Sequence, residues 1–149
     1  MKSKNPLVTV YIVNHNYGKY LKQAIQSVQK QTLQNFEMII IDNDSKDNSF
    51  DVINKFKNEK KISIVFQKNI GLNATNNVAI KMAKGKYIMR LDADDYLDPN
   101  ALQLMSSKLE KNPELGLVFP DYYIVDQNSN ILELVRRHDF SDVKLLDQP

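Results

Sequence analysis

Three groups of polar residues stand where apolar runs end: Asn14-His15-Asn16, Asp42-Asn43-Asp44-Ser45 and Asp92-Ala93-Asp94-Asp95. The third group has the plainest chemistry. Carboxylates gathered this closely repel one another unless a cation is present. A hard divalent ion, Mg²⁺ or Mn²⁺, takes oxygen ligands and keeps positions open for substrate phosphates. The plainer reading is a solvated acidic turn in which Asp98 caps the next helix. Capping accounts for Asp98 but leaves Asp92, Asp94 and Asp95 unexplained, so the metal reading is favoured.

The other groups suit recognition. At Asp42-Asn43, a carboxylate or amide oxygen can accept from ribose hydroxyls or from the ring N–H of a pyrimidine. Asp44-Ser45 can equally cap a helix in an ordinary polar turn. His15 can stack on a base or bond a phosphate, or it can be a plain loop histidine. In Asn69-Ile70-Gly71, the glycine permits a left-handed turn or a close backbone approach. The helix start that follows would favour an anion, and a simple turn explains the segment as well. Asn76 and Asn77 are poor helix formers at mid-helix positions, so one of them is expected to bond something specific, in the protein or in a ligand.

The elements that must position these groups alternate between strand and helix. Leu7–Val13, Phe36–Ile41, Ile62–Phe66 and Tyr87–Leu91 read as strands. Between the first two, Leu21, Ala24, Ile25 and Val28 recur at helical spacing. A short helix places Phe50, Ile53 and Phe56 on one side. A third runs from about Leu72 to Lys84 with Ala74, Val78, Ala79, Met82 and Ala83 inward, and Gly85 is expected to end it in the left-handed conformation. A fourth opens with Asp98 as N-cap and Pro99 in its first turn, burying Leu102, Met105 and Leu109. Leu117–Val125 and Ile131–Val135 read as further strands around a turn at Asn128–Asn130. The alternation predicts an α/β fold with a mostly parallel sheet. The three polar groups then lie at strand C-terminal ends, where open parallel sheets bind ligands.

The chain has 149 residues, enough for one domain with a buried core. The net charge is +2 without a long Lys/Arg cluster, which argues against nucleic acid as a partner. No cysteine is present, so disulfides, thiolate metal sites and a cysteine nucleophile are excluded. The polar start, Met1 to Pro6, does not read as a signal peptide. No apolar run approaches the ~20 residues that span a bilayer. A cytoplasmic location is expected, with the inner face of the membrane open as a docking surface for the full-length protein.

Four ordered blocks resemble the family 2 glycosyltransferases of the GT-A fold, a Rossmann-like α/β/α sandwich. They are Val8 to Asn16 with Tyr20-Leu21; Ser27 to Thr32 with Phe36 to Ser45; Asn69 to Asn77 with Ala83 to Ile88; and Leu91 to Asp95 with Pro99. The likeness covers residues 7 to about 110. It implies a nucleoside-diphosphate sugar donor, a UDP-sugar with a dTDP-sugar as alternative, and a Mn²⁺ or Mg²⁺ cofactor. It puts Asp94 on the metal and Asp92 against the ribose or the metal. Asn43 falls where the family reads the pyrimidine, and His15 where an aromatic residue touches the base. Val13, Asp42, Asn69, Gly71, Asn77 and Ala93 complete the implied nucleotide-sugar-binding set. The implied reaction is inverting transfer to a hydroxyl of a glycan or glycolipid acceptor.

There are departures. Asn43 replaces a frequent Asp, His15 a usual Tyr, Asn76 a common Arg and Ala79 a common Gly. Family members also run well past 149 residues. The chain is therefore expected to be a single nucleotide-sugar-binding domain whose acceptor half and general base lie beyond Pro149. The alternative is a nucleotide-binding or assembly module without transfer activity of its own. Asp121 and Asp126 lie near the next strand, but nothing in their spacing marks a base. A haloacid-dehalogenase-like phosphatase would carry its Asp-x-Asp near the N-terminus, and a dinucleotide oxidoreductase would show Gly-x-Gly-x-x-Gly after the first strand. Neither pattern is present.

Overall fold

The computed structural model describes residues 5–136. Runs rich in β-branched and apolar residues make strands buried on both faces. Two such runs form the centre of the sheet: β1 (Val8–Asn14) and β2 (Phe36–Asn43). They are flanked by β3 (Ile62–Gln67) and β4 (Tyr87–Asp92), giving a four-stranded sheet in the order β3-β2-β1-β4. All three pairings are parallel, with Val8 opposite both Phe36 and Tyr87. The chain steps outward from β1 to β3, then returns to the other side of β1. The topological switch point thus falls between the C-terminal ends of β1 and β4.

Strand alternation divides the side chains between two layers. Val10, Ile12, Met38 and Ile40 pack with α1 (Gly18–Gln29), α2 (Ser49–Asn54) and Leu102 of α4 (Ala101–Lys111). Tyr11, Ile39 and Ile41 pack with Ala79, Val78 and Met82 of α3 (Leu72–Met82). This is the expected α/β/α sandwich. Leu21, Ala24, Ile25 and Val28 are fully buried, as their spacing requires.

Several local expectations are corrected. Gly85 is not left-handed; Gly71 is the one glycine with positive φ among the described residues. Helix α3 ends instead as Ala83 turns extended, at φ −60° and ψ 133°. Gly85 is small for another reason: a Cβ there would lie 2.4 Å from the Thr9 backbone N and 2.7 Å from the Val8 carbonyl carbon. Its N–H donates to Thr9 Oγ1 at 2.9 Å, and that hydroxyl donates to Glu37 Oε1 at 2.7 Å, tying β4 to β1 and β2.

Helix α4 starts at Ala101 with Asn100 as its cap residue, later than Asp98 and Pro99. Asp98 organises the turn before it, accepting from Asn100 N–H at 2.8 Å. Leu102 is buried, Met105 and Leu109 only partly, and Ser106 takes the other fully buried position. In α3, Thr75 rather than the exposed Ala74 is buried. Phe50 points outward, 58% exposed, against Phe66 with ring centroids 5.2 Å apart. The expected strand from Leu117 shortens to β5 (Tyr122–Val125), which among the described residues pairs only with β6 (Ile131–Val135), as a separate antiparallel hairpin.

Gln31 fixes the segment that follows the acidic group. Its side chain is 1% exposed. Its Nε2 donates to the Ser27 carbonyl at 3.1 Å and the Asp98 carbonyl at 2.7 Å, while its Oε1 accepts from Leu102 N–H at 2.9 Å. Ser27 Oγ accepts from Leu97 N–H at 3.1 Å. Ser27 of α1 and Gln31, just past its C-terminal end, thereby hold both ends of the 97–102 segment. Gln31→Ala leaves buried backbone groups without partners, and we expect it to lower unfolding stability by about 2 kcal/mol in denaturant titration.

Candidate functional site

The loops after β1 and β2 are built together. Asn16 and Asp44 both take positive φ, 63° and 69°, a conformation that Asn and Asp tolerate better than most residues. Asn16 N–H donates to Ser45 Oγ at 2.9 Å, and Asn16 Oδ1 accepts from Lys46 N–H at 2.7 Å. Asn14 is fully buried; its Nδ2 donates to Asp42 Oδ2 at 2.8 Å and Ser45 Oγ at 3.0 Å. Asp42 Oδ1 accepts from Ser45 N–H at 3.0 Å. Asp42 is therefore 6% exposed and spent largely on holding its own loop. It lies on the α1/α2 face, beside a hollow of about 380 Å³ that Phe50, Phe66 and Lys68 also line.

Asn43, one residue on, faces the α3 layer. Its Oδ1 accepts from Gln67 Nε2 at 3.0 Å, Thr75 Oγ1 at 3.2 Å and Ile70 N–H at 3.3 Å. Its Nδ2 donates to Asn69 Oδ1 at 2.9 Å. Asn69 Oδ1 also accepts from Gly71 N–H at 2.9 Å. Gly71, at φ 82° and ψ 157°, occupies a region essentially reserved for glycine. His15 is exposed, and its Nδ1 lies 2.8 Å from the Asn43 carbonyl oxygen.

Across the switch point, Val13 pairs with Asp92. Asp92 is half-exposed; its Oδ1 accepts from Arg90 Nε at 2.8 Å and from Arg90 Nη2. This pairing was missed from sequence, although residues two apart on one strand face share a side. Ala93 is buried, and Asp94 is exposed with no ion pair among the described residues. Asp95 has its carboxyl pushed upward by desolvation first, then by the charges of Asp94 and Asp92. The three carboxylates are thus close enough to feel one another.

No three acidic, His or Cys side chains among the described residues converge into a ready-made metal cage. The donor chemistry nonetheless suits a hard cation: a carboxylate with no ion pair among the described residues, just past a strand end and near two other carboxylates. Asn77 is exposed on α3, and Asn76 Oδ1 is buried with no hydrogen-bond partner. No protein partner for these mid-helix asparagines appears among the described residues. Asp126 is accounted for structurally: its carboxylate accepts from Asn128 N–H, Asn130 N–H and Asn130 Nδ2 in the β5–β6 turn.

Val13, His15, Asn43, Asn69, Gly71 and Asp92 therefore share one end of the sheet, with Asn43, Asn69 and Gly71 at β2 and β3, Val13 and Asp92 across β1 and β4, and Asp94 on the loop after β4. Asp42 shares that end but turns to the opposite face. The model of the family described as Glycosyl transferase family 2 matches residues 9–147. The chain belongs to glycosyl transferase family 2. Among curated family members, it is 35% identical over 145 residues to an uncharacterized glycosyltransferase of Methanocaldococcus jannaschii, covering 93% of this chain and 50% of that protein. It is 30% identical over 128 residues to the chondroitin synthase of Escherichia coli, covering 85% of this chain and 19% of that enzyme. The chain thus spans half or less of the length of these relatives. Among solved structures, Staphylococcus aureus TarS 1-349 in complex with UDP-GlcNAc superposes with a TM-score of 0.66 at 22% identity, over 82% of this chain and 41% of that one. Mannosyltransferase PcManGT from Pyrobaculum calidifontis superposes with a TM-score of 0.60 at 19% identity, over 67% and 31%. Both establish the GT-A fold. No helix among the described residues is long and apolar enough to cross a membrane.

Proposed function

We propose that this family 2 domain binds a nucleoside-diphosphate sugar, preferably a UDP-sugar, across the β1–β4 switch point, with Asp94 as the protein ligand of a Mn²⁺ or Mg²⁺ ion. The reading is supported by the register that pairs Asp92 with Val13, two residues before His15, at the C-terminal ends of β1 and β4, where open parallel sheets take their ligands. Two solved structures of the same fold lend support through their ligands: TarS with UDP-GlcNAc, and PcManGT with GDP-Man and Mn²⁺.

In this reading Asp94 faces the diphosphate and Asp92, steadied by Arg90, faces the ribose. Gly71 brings backbone close to the nucleotide, with Asn69 and Asn77 alongside. A bound divalent ion would offset the charge that develops on the departing diphosphate. The reaction of the whole protein is inverting transfer to an acceptor hydroxyl, whose proton a general base removes. We assign acceptor binding and that base to the part of the longer relatives that this chain does not span, and place the whole protein in the cytoplasm, with a glycan or glycolipid as its acceptor.

The base end of the crevice predicts selectivity. Competition against a fluorescent UDP analogue should rank UDP first and dTDP second, with GDP and ADP about tenfold weaker or more, about 1.4 kcal/mol. GDP or ADP ranking first would refute the pyrimidine reading.

A further inference from the structure

We propose that the end of the sheet opposite the nucleotide crevice is a docking surface for an anionic phospholipid bilayer. The small net charge of +2 conceals a segregation. Asp42, Asp44, Asp92, Asp94 and Asp95 lie at or just past the C-terminal ends of β2 and β4. The turns that enter β3 and β4 lie at the other end, because all the pairings are parallel. One turn carries Lys55, Lys57, Lys60 and Lys61 and the other Lys84 and Lys86, all exposed. These groups are distant in sequence, and the sheet brings their strand entries within about 15 Å, three strand spacings.

Part of this charge has a local explanation. Lys55 is the C-cap residue of α2, where a cation offsets the helix dipole. Lys86 is ion-paired with Glu110. Lys57, Lys60, Lys61 and Lys84 have no ion pair among the described residues. Within the two turns Glu59 is the one carboxylate. Nearby Glu37 is engaged by Thr9 Oγ1 and Lys84 N–H. Lys61 is also held in place. Its Nζ donates to the Gln34 carbonyl at 2.6 Å and to Gln34 Oε1 at 2.9 Å, and lies 4.5 Å from the centroid of the Phe36 ring. An ammonium group has three donors, so one is left for a ligand. Lys61 borders a hollow of about 470 Å³ that Gln29, Asn58 and Lys60 also line, larger than a phosphate group needs.

The side chains select the partner. Neither turn exposes an aromatic or large apolar residue, since Phe56 is buried. Single-stranded nucleic acid is held by stacking on exposed rings, and a protein interface has an apolar centre. Flexible lysines without rings suit a surface that offers phosphate at any spacing, where each lysine strengthens binding about fivefold. The acidic end is repelled by the same surface. The docked domain therefore holds its crevice away from the bilayer, about 20 Å out, the length of β1. Docking of this kind does not depend on what the crevice binds.

The test is sedimentation of this chain with phosphatidylcholine vesicles, with and without phosphatidylglycerol. We expect binding to the anionic vesicles, release by high salt and no binding to the neutral ones. Lys57→Gln, Lys60→Gln and Lys61→Gln together should weaken binding about 100-fold. Lys57→Arg, Lys60→Arg and Lys61→Arg together keep the charge and should keep the binding. Lys19→Gln, Lys22→Gln and Lys46→Gln together remove as much charge from elsewhere on the surface and should bind nearly as the parent does. All three variants should melt like the parent, because the lysines are exposed. No binding to anionic vesicles, or equal binding to neutral and anionic ones, would overturn the assignment. So would equal losses in the two glutamine variants, or capture of the chain by single-stranded RNA in preference to anionic vesicles.

Discussion

Asp94→Ala should lower the affinity for UDP in Mn²⁺ by about 30- to 100-fold, about 2–3 kcal/mol, to the level the parent chain shows in chelator. The expectation follows from the division of labour at the end of β4. Asp92 has one carboxylate oxygen held by Arg90, whereas Asp94 is exposed and has no cation partner among the described residues. Asp95 sits in the same negative field, its carboxyl pushed upward by desolvation and then by the charges of Asp94 and Asp92. Removing Asp94 takes away the best oxygen donor without disturbing the core, because the side chain packs on nothing buried. The melting temperature should therefore stay within a degree or two of the parent, about what a surface substitution causes. Asp92→Asn should weaken binding less, since the amide oxygen can still face a hydroxyl. Titration calorimetry of the three proteins checks both points, and an Asp94→Ala variant that binds UDP as the parent does would remove Asp94 from the site.

Gly85→Ala should destabilise the domain by about 3 kcal/mol, a fall of about 6–12 °C in melting temperature for a chain of this size. The added methyl would meet backbone atoms of Val8 and Thr9 well inside contact distance, and backbone at the start of a central strand has nowhere to go. The shift needed would stretch the Gly85 bond to Thr9 Oγ1 and disturb the Thr9–Glu37 bond behind it. The cost should appear at the end of the sheet opposite the nucleotide crevice, so UDP affinity measured well below the melt should be nearly unchanged. Differential scanning calorimetry tests the first statement. A melt equal to the parent would show that β4 can slide away from β1.

Gly85 also marks the boundary of what the sequence could reveal. Helical spacing and a terminal glycine suggest a helix stop, yet the constraint on this residue comes from a strand distant in sequence. That is a tertiary contact invisible to local pattern. The four strands were legible because short, mostly apolar runs between helical patterns have few other uses, and their ends moved by only one or two residues. Strand β4 was harder to place in the sheet, since alternation of exposed Ile88 and Arg90 with buried Leu91 signals an edge only after the neighbours are known. Phe50 shows the reverse error. Its spacing from Ile53 suggests burial, but α2 is six residues long and its inward face is already filled by Val52 and Ile53. Asp98 and Pro99 look like a helix start because their residue types fit one. The carbonyl of Asp98 is instead drawn to buried Gln31, and the helix begins at Ala101.

For the site, residue type and position at strand ends identified which loops converge. They did not reveal how the loops are wired. The engagement of Asn43 by Gln67, Thr75 and Ile70 depends on strand register and face. Those become available once β1, β2, β3 and β4 are placed side by side.

The central claim is that a divalent ion joins the nucleoside diphosphate to the end of β4. The most direct measurement is titration of UDP into this chain by calorimetry, once with Mn²⁺ and once with chelator. Saturable binding in Mn²⁺ with an affinity about 30-fold or more above that in chelator, about 2 kcal/mol, is the predicted result. Equal affinity in the two conditions would contradict the account.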